Sequence, residues 1–269
     1  LILLATCGTG EVILHNCALE PEIDDLILFL TNAGANIRRE GKNIFIKGVS
    51  TLSQKSPHTV VVDRNEAVTF GALAFATRGD ITLTNLDETL IQTFIEKVKV
   101  AGGAVEIISE KCIRFQWVKR LKSTNIQTSP HPGYMTDWQP QWGLMMSTAD
   151  GVSVIHETML EARLKYIQEL QKVGAEAEFF QPNVADPHKL YQFNYEDGKE
   201  YLQAVRITGV PKLHNGVMNV HDLRAGAVVV MAGLSAEGET VINGVGQLER
   251  GYENLIHKIT ALGGKIKKV

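Results

Sequence analysis

The sequence predicts an α/β protein built from repeated β-α-β-α-β-β modules, with helices packed inside a wrap of short sheets. Three observations carry this. A small-residue helix end followed by a strand recurs four times, as ATCGTGEVILHN, ATRGDITLTN, TADGVSVIHE and SAEGETVING. Each is followed by a helical pattern that ends in glycine and then by another strand, as NAGANIRR, VAGGAVEII, KVGAEAEFF and TALGGKIKKV. The helices carry an apolar stripe, for example Leu26, Phe29, Leu30 and Ala33, which a covering sheet would bury. Gly10, Gly79, Gly151 and Gly238 mark the ends of the first helices, and Gly34, Gly102, Gly174 and Gly263 those of the second.

In chain order, the first module covers about residues 1–49. Its opening LILLATCGTG suits the end of a core helix; 11–16 reads as a strand, 22–33 as a helix, and 37–39 and 43–47 as strands turning at Gly41. STLSQKSPHTV follows, and its Ser/Thr content and Pro57 argue against regular structure. That linker is the expected domain boundary, separating residues 1–61 from 62–269. The second module is expected to start after VVVDRNEAV and to end near Trp117. The third starts at Asp137 and is interrupted after Phe180 by a polar, aromatic insertion near 181–202, which reads as a hairpin or an exposed loop. The fourth runs from Asp222 to the end. No Met opens the chain, and the repeat pattern is already under way at residue 1, so the chain is expected to begin inside a repeat.

At 269 residues, 44% hydrophobic and 21% charged, the chain reads as a soluble globular protein with more than one core. A formal charge of -3 argues against wholesale nucleic-acid binding. Cys7, Cys17 and Cys112 form neither a disulfide framework nor a CxxC metal site, which points to a reducing, cytoplasmic setting. No apolar run reaches the ~18 residues of a membrane span. His131, His156 and His221 are too scattered to suggest a metal cluster. GVGQLERG lacks the spacing of a dinucleotide fingerprint.

Chemistry-bearing residues concentrate between 131 and 163. Asp137 stands where a helix is expected to start, so it is either a helix cap or a base for a substrate hydroxyl. Trp138 and Trp142, four apart, read as core. Arg64, Arg163, Arg224 and Arg250 recur at helix starts, where a cation opposes the helix dipole. Bidentate binding of phosphate or carboxylate would offset that cost; ion pairs with Glu66, Glu161 or Asp222 are the alternative.

The passages EPEIDDL (20–26), VVDRNEAVTFGALAFATRG (61–79), SPHPGYMTDWQPQ (129–141), ETMLEAR (157–163), HDLRAGAVVVMAGLSAEGET (221–240) and ERGYENLIHKITALGGKI (249–266) together resemble the enolpyruvyl transferases of the UDP-N-acetylglucosamine 1-carboxyvinyltransferase type. The resemblance implies an inside-out, barrel-like α/β fold in two domains of six modules, four of them present here. Residues 1–61 would be the last module of an incomplete N-terminal-side domain and 62–269 a nearly complete second domain. A mobile loop with Cys or Asp, and a Lys-Asn pair, would lie outside this chain, which by itself is expected to be inactive.

The implied chemistry moves the enolpyruvyl group of phosphoenolpyruvate to the 3-hydroxyl of UDP-N-acetylglucosamine, in peptidoglycan precursor synthesis, with no metal or redox cofactor. The implied protein is a monomer, or is paired with a missing N-terminal segment. Carried over residue by residue, Asp137 matches the group that takes the hydroxyl proton, with Arg250 beside it as catalytic. Arg163 and Arg224 match arginines around phosphoenolpyruvate; Glu20, Asp63 and Glu161 match acidic residues of the cleft; Met159 and Leu160 match the segment beside the nucleotide sugar. The sequence departs from the family pattern at Met135, Pro140, Ala162 (usually Asn), Glu249 (usually Asp) and the insertion. These departures open two alternatives: a paralogue acting on another nucleotide sugar, or a non-catalytic repeat binding module.

Overall fold

The structure, a computed structural model, describes residues 1–220 and 223–268, except the side chains of Leu223, Arg224 and Glu249. It divides into two units, Leu1–Val62 with Pro130–Pro132, and Asp63–Ser129 with Gly133–Val269.

The first unit is one module: α1 (Ile2–Thr6), β1 (Glu11–Leu14), α2 (Pro21–Asn32), β2 (Asn36–Glu40) and β3 (Asn43–Lys47). Pro21 opens α2 because its fixed φ suits the first turn, where Glu22 and Asp24 also complement the helix dipole. The strands pair antiparallel in the order β1-β3-β2. Leu30, Ile44 and Ile46 are buried, while Leu3, Leu4 and Ile13 are 60, 76 and 51% exposed. α1 is helical, with Thr6 buried and Leu3 and Leu4 exposed.

The second unit begins with α3 (Arg64–Ala76), β4 (Asp80–Thr84), α4 (Gln92–Val100), β5 (Ala104–Ser109) and β6 (Cys112–Gln116). It continues with β7 (Ile126–Gln127), α5 (Gln139–Ser147), β8 (Val152–His156), α6 (Tyr166–Gln171), β9 (Glu176–Phe180), α7 (Pro187–Leu190) and β10 (Ala204–Thr208). It ends with β11 (Val217–Asn219), α8 (Leu223–Ser235), β12 (Val241–Asn243) and α9 (Leu255–Ala261). The β4-β6-β5 sheet repeats the strand order of the first unit, and β7-β8-β10-β9 repeats it again with β7 added in parallel against β8. β11 and β12 form a parallel pair.

α3, α5 and α8 pack on one another at the centre of this unit. All nine residues of α5 are buried, and nine of α3. This corrects the single-stripe expectation, since a helix covered on every side needs no polar face. Close approach is made possible by small residues. A Cβ at Gly71 would lie 3.3 Å from the Phe94 and Phe115 rings, and one at Gly143 would overlap the Tyr166 hydroxyl.

Three further expectations are corrected. The second module does not start after VVVDRNEAV, because α3 already begins at Arg64, with Asp63 accepting from the N–H groups of Asn65 and Glu66 at 2.8 and 3.0 Å. Gly79 is not the left-handed residue after α3; Arg78 is, at φ 56°. The insertion is not a hairpin. It holds one helical turn, α7, and an aromatic cluster in which Tyr191 and Tyr195 stack at 5.4 Å while Tyr201 meets Phe193 at 5.3 Å and Tyr195 at 4.9 Å. Among the described residues no helix is long and apolar enough to cross a membrane.

Candidate active site

Asp137 sits in a short 3-10 turn, Thr136–Trp138, that leads into α5. Neither the turn nor the helix receives a side-chain cap. The cap alternative for Asp137 therefore falls away, and the capping role belongs to Asp63. The Asp137 carboxylate instead accepts from Arg163 Nη2 at 2.9 Å and from Asn65 Nδ2 at 3.5 Å. The Asn65 amide is oriented by Trp138, whose indole N–H donates to Asn65 Oδ1 at 2.9 Å. Buried Trp138 needs that acceptor, so one bond orients the amide and anchors the ring.

The Arg163–Asp137 pair is neither deeply buried nor free in water, with side-chain exposures of 20 and 27%. Such a pair is screened less than a surface one, yet both groups stay reachable by a ligand. Gln141, inside α5, satisfies all its neighbours when its nitrogen faces the Asp137 and Trp138 carbonyls, at 3.0 and 3.3 Å, and its oxygen the Thr69 hydroxyl. The Thr69 hydroxyl also meets buried Tyr252 at 3.0 Å, tying the ERGYEN passage to α3.

Arg163 is carried by the segment 157–163, which is built around the Glu157 carboxylate. Glu157 is fully buried and accepts four bonds: the Thr128 and Thr136 hydroxyls at 3.1 and 2.8 Å, and the Met159 and Leu160 N–H groups at 2.7 and 3.0 Å. Burial pushes its pKa above the usual carboxylate value, and the four donors oppose the shift. The 136–137 turn thus grips this segment twice, through Thr136 to Glu157 and through Asp137 to Arg163.

Ala162 lies at φ 57°, a left-handed conformation that costs a Cβ-bearing residue roughly 1 kcal/mol and that asparagine tolerates better. Ala162→Asn should accordingly stabilise the protein by ~0.5–1 kcal/mol, raising Tm by about 1–4 °C in calorimetry. An unchanged or lower Tm would show that the turn is not strained.

The wall beyond Arg163 opens into a cavity of about 340 Å³ lined by Leu160, Arg163, Lys165, Glu169, Asn219 and Val229, among others. Glu169 is buried there, paired with Lys172 at 2.8 Å and accepting from Asn219 N–H at 2.8 Å. Glu161 also lines it and is ion-paired with Lys199 at 2.9 Å. Met159 is half-buried and Leu160 is 44% exposed.

Arg250 is exposed at the last position of the 3-10 turn Val245–Arg250, the end at which a cation is favoured. Arg163 lies in a turn ahead of α6, so the argument from opposed dipoles holds only for Arg64 and Arg224, at the starts of α3 and α8. Arg64 is buried with its guanidinium 5.8 Å from the Trp138 ring. The Arg224 side chain, with His221 and Asp222, lies outside the described residues. Glu20 belongs to the first unit, where it precedes α2 without capping it.

Three contributors were not singled out from the sequence: Asn65, Tyr252 and Gln203. The first could have been found from the need of buried Trp138 for an acceptor; Gln203, at the end of a polar loop, gives no such signal.

The chain adopts the enolpyruvyl transferase fold. It superposes on the enolpyruvyl transferase NikO from Streptomyces tendae with a TM-score of 0.80 at 22% identity, covering 98% of this chain and 58% of that one. It superposes on EPSP synthase from Acinetobacter baumannii with a TM-score of 0.71 at 18% identity, covering 99% and 60%. A family model described as EPSP synthase (3-phosphoshikimate 1-carboxyvinyltransferase) matches residues 1–259, and the chain belongs to that family. Two similar relatives are UDP-N-acetylglucosamine 1-carboxyvinyltransferases. That of Finegoldia magna is 35% identical over 271 residues, covering 100% of this chain and 59% of the relative. Enzyme 1 of Caldanaerobacter subterraneus subsp. tengcongensis is 38% identical over 268 residues, covering 99% and 59%. The chain thus spans about 59% of the length of these relatives.

Proposed function

We propose that the full-length protein transfers the enolpyruvyl group of phosphoenolpyruvate to the 3-hydroxyl of UDP-N-acetylglucosamine, releasing phosphate, in peptidoglycan precursor synthesis. The observation that carries this reading is the Asp137 carboxylate, held by Arg163 and Asn65 instead of capping a helix. The names of relatives 35 and 38% identical across this chain support the substrates.

In this reading Asp137 takes the proton of the sugar hydroxyl as its oxygen bonds to C2 of phosphoenolpyruvate and a general acid of the full-length protein protonates C3. The conjugate base of that acid then takes a proton back from C3, the C2–O bond to phosphate breaks with its electron pair leaving on phosphate, and the double bond re-forms. Arg163, with Arg224 and Arg250, supplies the positive charge that holds the phosphate and carboxylate. Glu20, Asp63 and Glu161 would line the acidic side of the cleft, and Met159 and Leu160 would lie beside the nucleotide sugar. Residues 1–61 would complete one domain and 62–269 form the second, in a cytoplasmic monomer.

One observation favours a related sugar as acceptor. The insertion packs on the segment expected to lie beside the sugar, through Gln192 N–H to the Thr158 carbonyl at 2.8 Å and through Lys199 to Glu161.

Phosphate release by the full-length protein, supplied with phosphoenolpyruvate and a panel of UDP-amino sugars, tests the reading. Turnover with UDP-N-acetylglucosamine is expected, and none with shikimate 3-phosphate. Turnover with another UDP sugar alone would move the specificity, and no turnover with any amino sugar would overturn the proposal.

A further inference from the structure

Gln203 lies immediately before β10 and is 1% exposed. Its position follows from the sheet register. Ala204 pairs with His156 across β10 and β8, and the Glu157 N–H extends that ladder by donating to the Gln203 carbonyl at 2.8 Å. The side chain is thereby aimed along the 157–163 segment. Its Nε2 donates to the Glu157 and Leu160 carbonyls at 3.1 and 3.0 Å, and its Oε1 accepts from the Ala162 N–H at 3.4 Å. One buried amide therefore satisfies three backbone groups of the segment that ends in Arg163.

The insertion leads directly into Gln203, whose backbone N–H donates to the Tyr201 carbonyl at 3.0 Å. Tyr201, two residues before Gln203, is buried against Phe193 and Tyr195, and its ring also faces the Lys199 ammonium at 4.8 Å. Tyr191 anchors the cluster to β8 through its hydroxyl, 3.2 Å from His156 Nε2. β9 and β10 pair up to Phe180 and Ala204, so a short turn would suffice to join them. Beyond the Tyr191 contact to β8, the extra residues reach the segment carrying Arg163, through Gln192 N–H to the Thr158 carbonyl and Lys199 to Glu161.

From this geometry we infer that Gln203 is a positioning residue for Arg163, and that the insertion is a brace that holds the 157–163 segment in the shape that presents the guanidinium to Asp137. The inference rests on the proposed function for what Arg163 then binds, but the brace itself is a statement about the fold. The buried amide, unlike the aromatic cluster, touches the segment at three separated points, so it resists both shift and rotation of the turn at Ala162.

The test uses the full-length protein with Gln203→Met, which keeps the volume and removes all three bonds, and with Gln203→Glu, which keeps only the acceptor for Ala162. Hydrogen exchange of the 157–163 amides should accelerate by about tenfold or more in the Met variant and at least as much in the Glu variant, whose second oxygen would face the Glu157 and Leu160 carbonyls. Calorimetric binding of phosphoenolpyruvate should weaken about tenfold in Gln203→Met. In an Arg163→Ala background, the same Met substitution should weaken binding no further, because the residue acts through the guanidinium. A role confined to folding would lower Tm in both backgrounds and leave binding by the folded protein unchanged. Unaltered exchange in Gln203→Met would overturn the brace. Additive losses of affinity in the double variant would overturn its action through Arg163. Arg163→Ala binding as tightly as the parent would count against both the proposed anion site and that action, while exchange would still decide the brace.

Discussion

Asp137→Asn in the full-length protein should lower turnover about 10²-fold, the usual scale for loss of a general base, with a smaller change in substrate affinity. The surroundings say why the replacement is not silent. Two groups that face the carboxylate, Arg163 Nη2 and Asn65 Nδ2, are donors. Asn65 cannot turn its oxygen toward position 137 without abandoning the Trp138 indole. An amide at 137 must therefore set its own N–H₂ against one of the two donors. That mismatch costs about 1 kcal/mol, small beside the loss of charge. Steady-state kinetics with each substrate varied, together with a melting curve, separates the two effects. Normal turnover with a lowered Tm would leave Asp137 only its structural role.

Glu157→Ala should destabilise the fold by roughly 3–5 kcal/mol. It strips the Met159 and Leu160 N–H groups of their acceptor and leaves two threonine hydroxyls to find new ones, at about 1–3 kcal/mol per buried group. Glu157→Gln should be far milder. Its Oε1 keeps the three bonds made by one carboxylate oxygen, and its nitrogen can donate to the Thr136 hydroxyl, which rotates to accept.

The pair of variants also isolates a pH effect. Burial raises the Glu157 pKa in the folded state, so the folded chain holds that proton more tightly than the unfolded chain. The resulting stability is fully present below the unfolded value and is lost as pH rises through the folded one. Chemical denaturation across weakly acidic pH should show the parent losing stability relative to Glu157→Gln as pH rises. A parallel pH dependence in both would mean that the four donors cancel the effect of burial.

How much of this was legible beforehand differs from element to element. The second helix of each module could be read because its end requires a left-handed residue. Gly34, Gly102, Gly174 and Gly263 all adopt positive φ. Asp137 and Arg163 were singled out because SPHPGYMTDWQPQ and ETMLEAR resemble the family's passages; the helix-start arguments for both failed, since Asp137 caps nothing and Arg163 lies in a turn. Their pairing was not legible, because 26 positions separate them and only the parallel descent of β7 and β8 brings the two loops together.

The sequence by itself determined the alternation of helix and strand, the α/β class and the residue types available for anion chemistry, since each depends on local spacing and turn geometry. The tertiary structure alone decided three things. α3 and α5 are buried on every face, which no stripe could announce because neighbours on all sides erase the periodicity. Asp63, and not Asp137, caps a helix, because a cap is a matter of where the next N–H groups point. And Gln203, one polar residue at the end of a polar loop, becomes a buried clasp on the Arg163 segment only because β10 lies beside β8 in a register that aims its amide there.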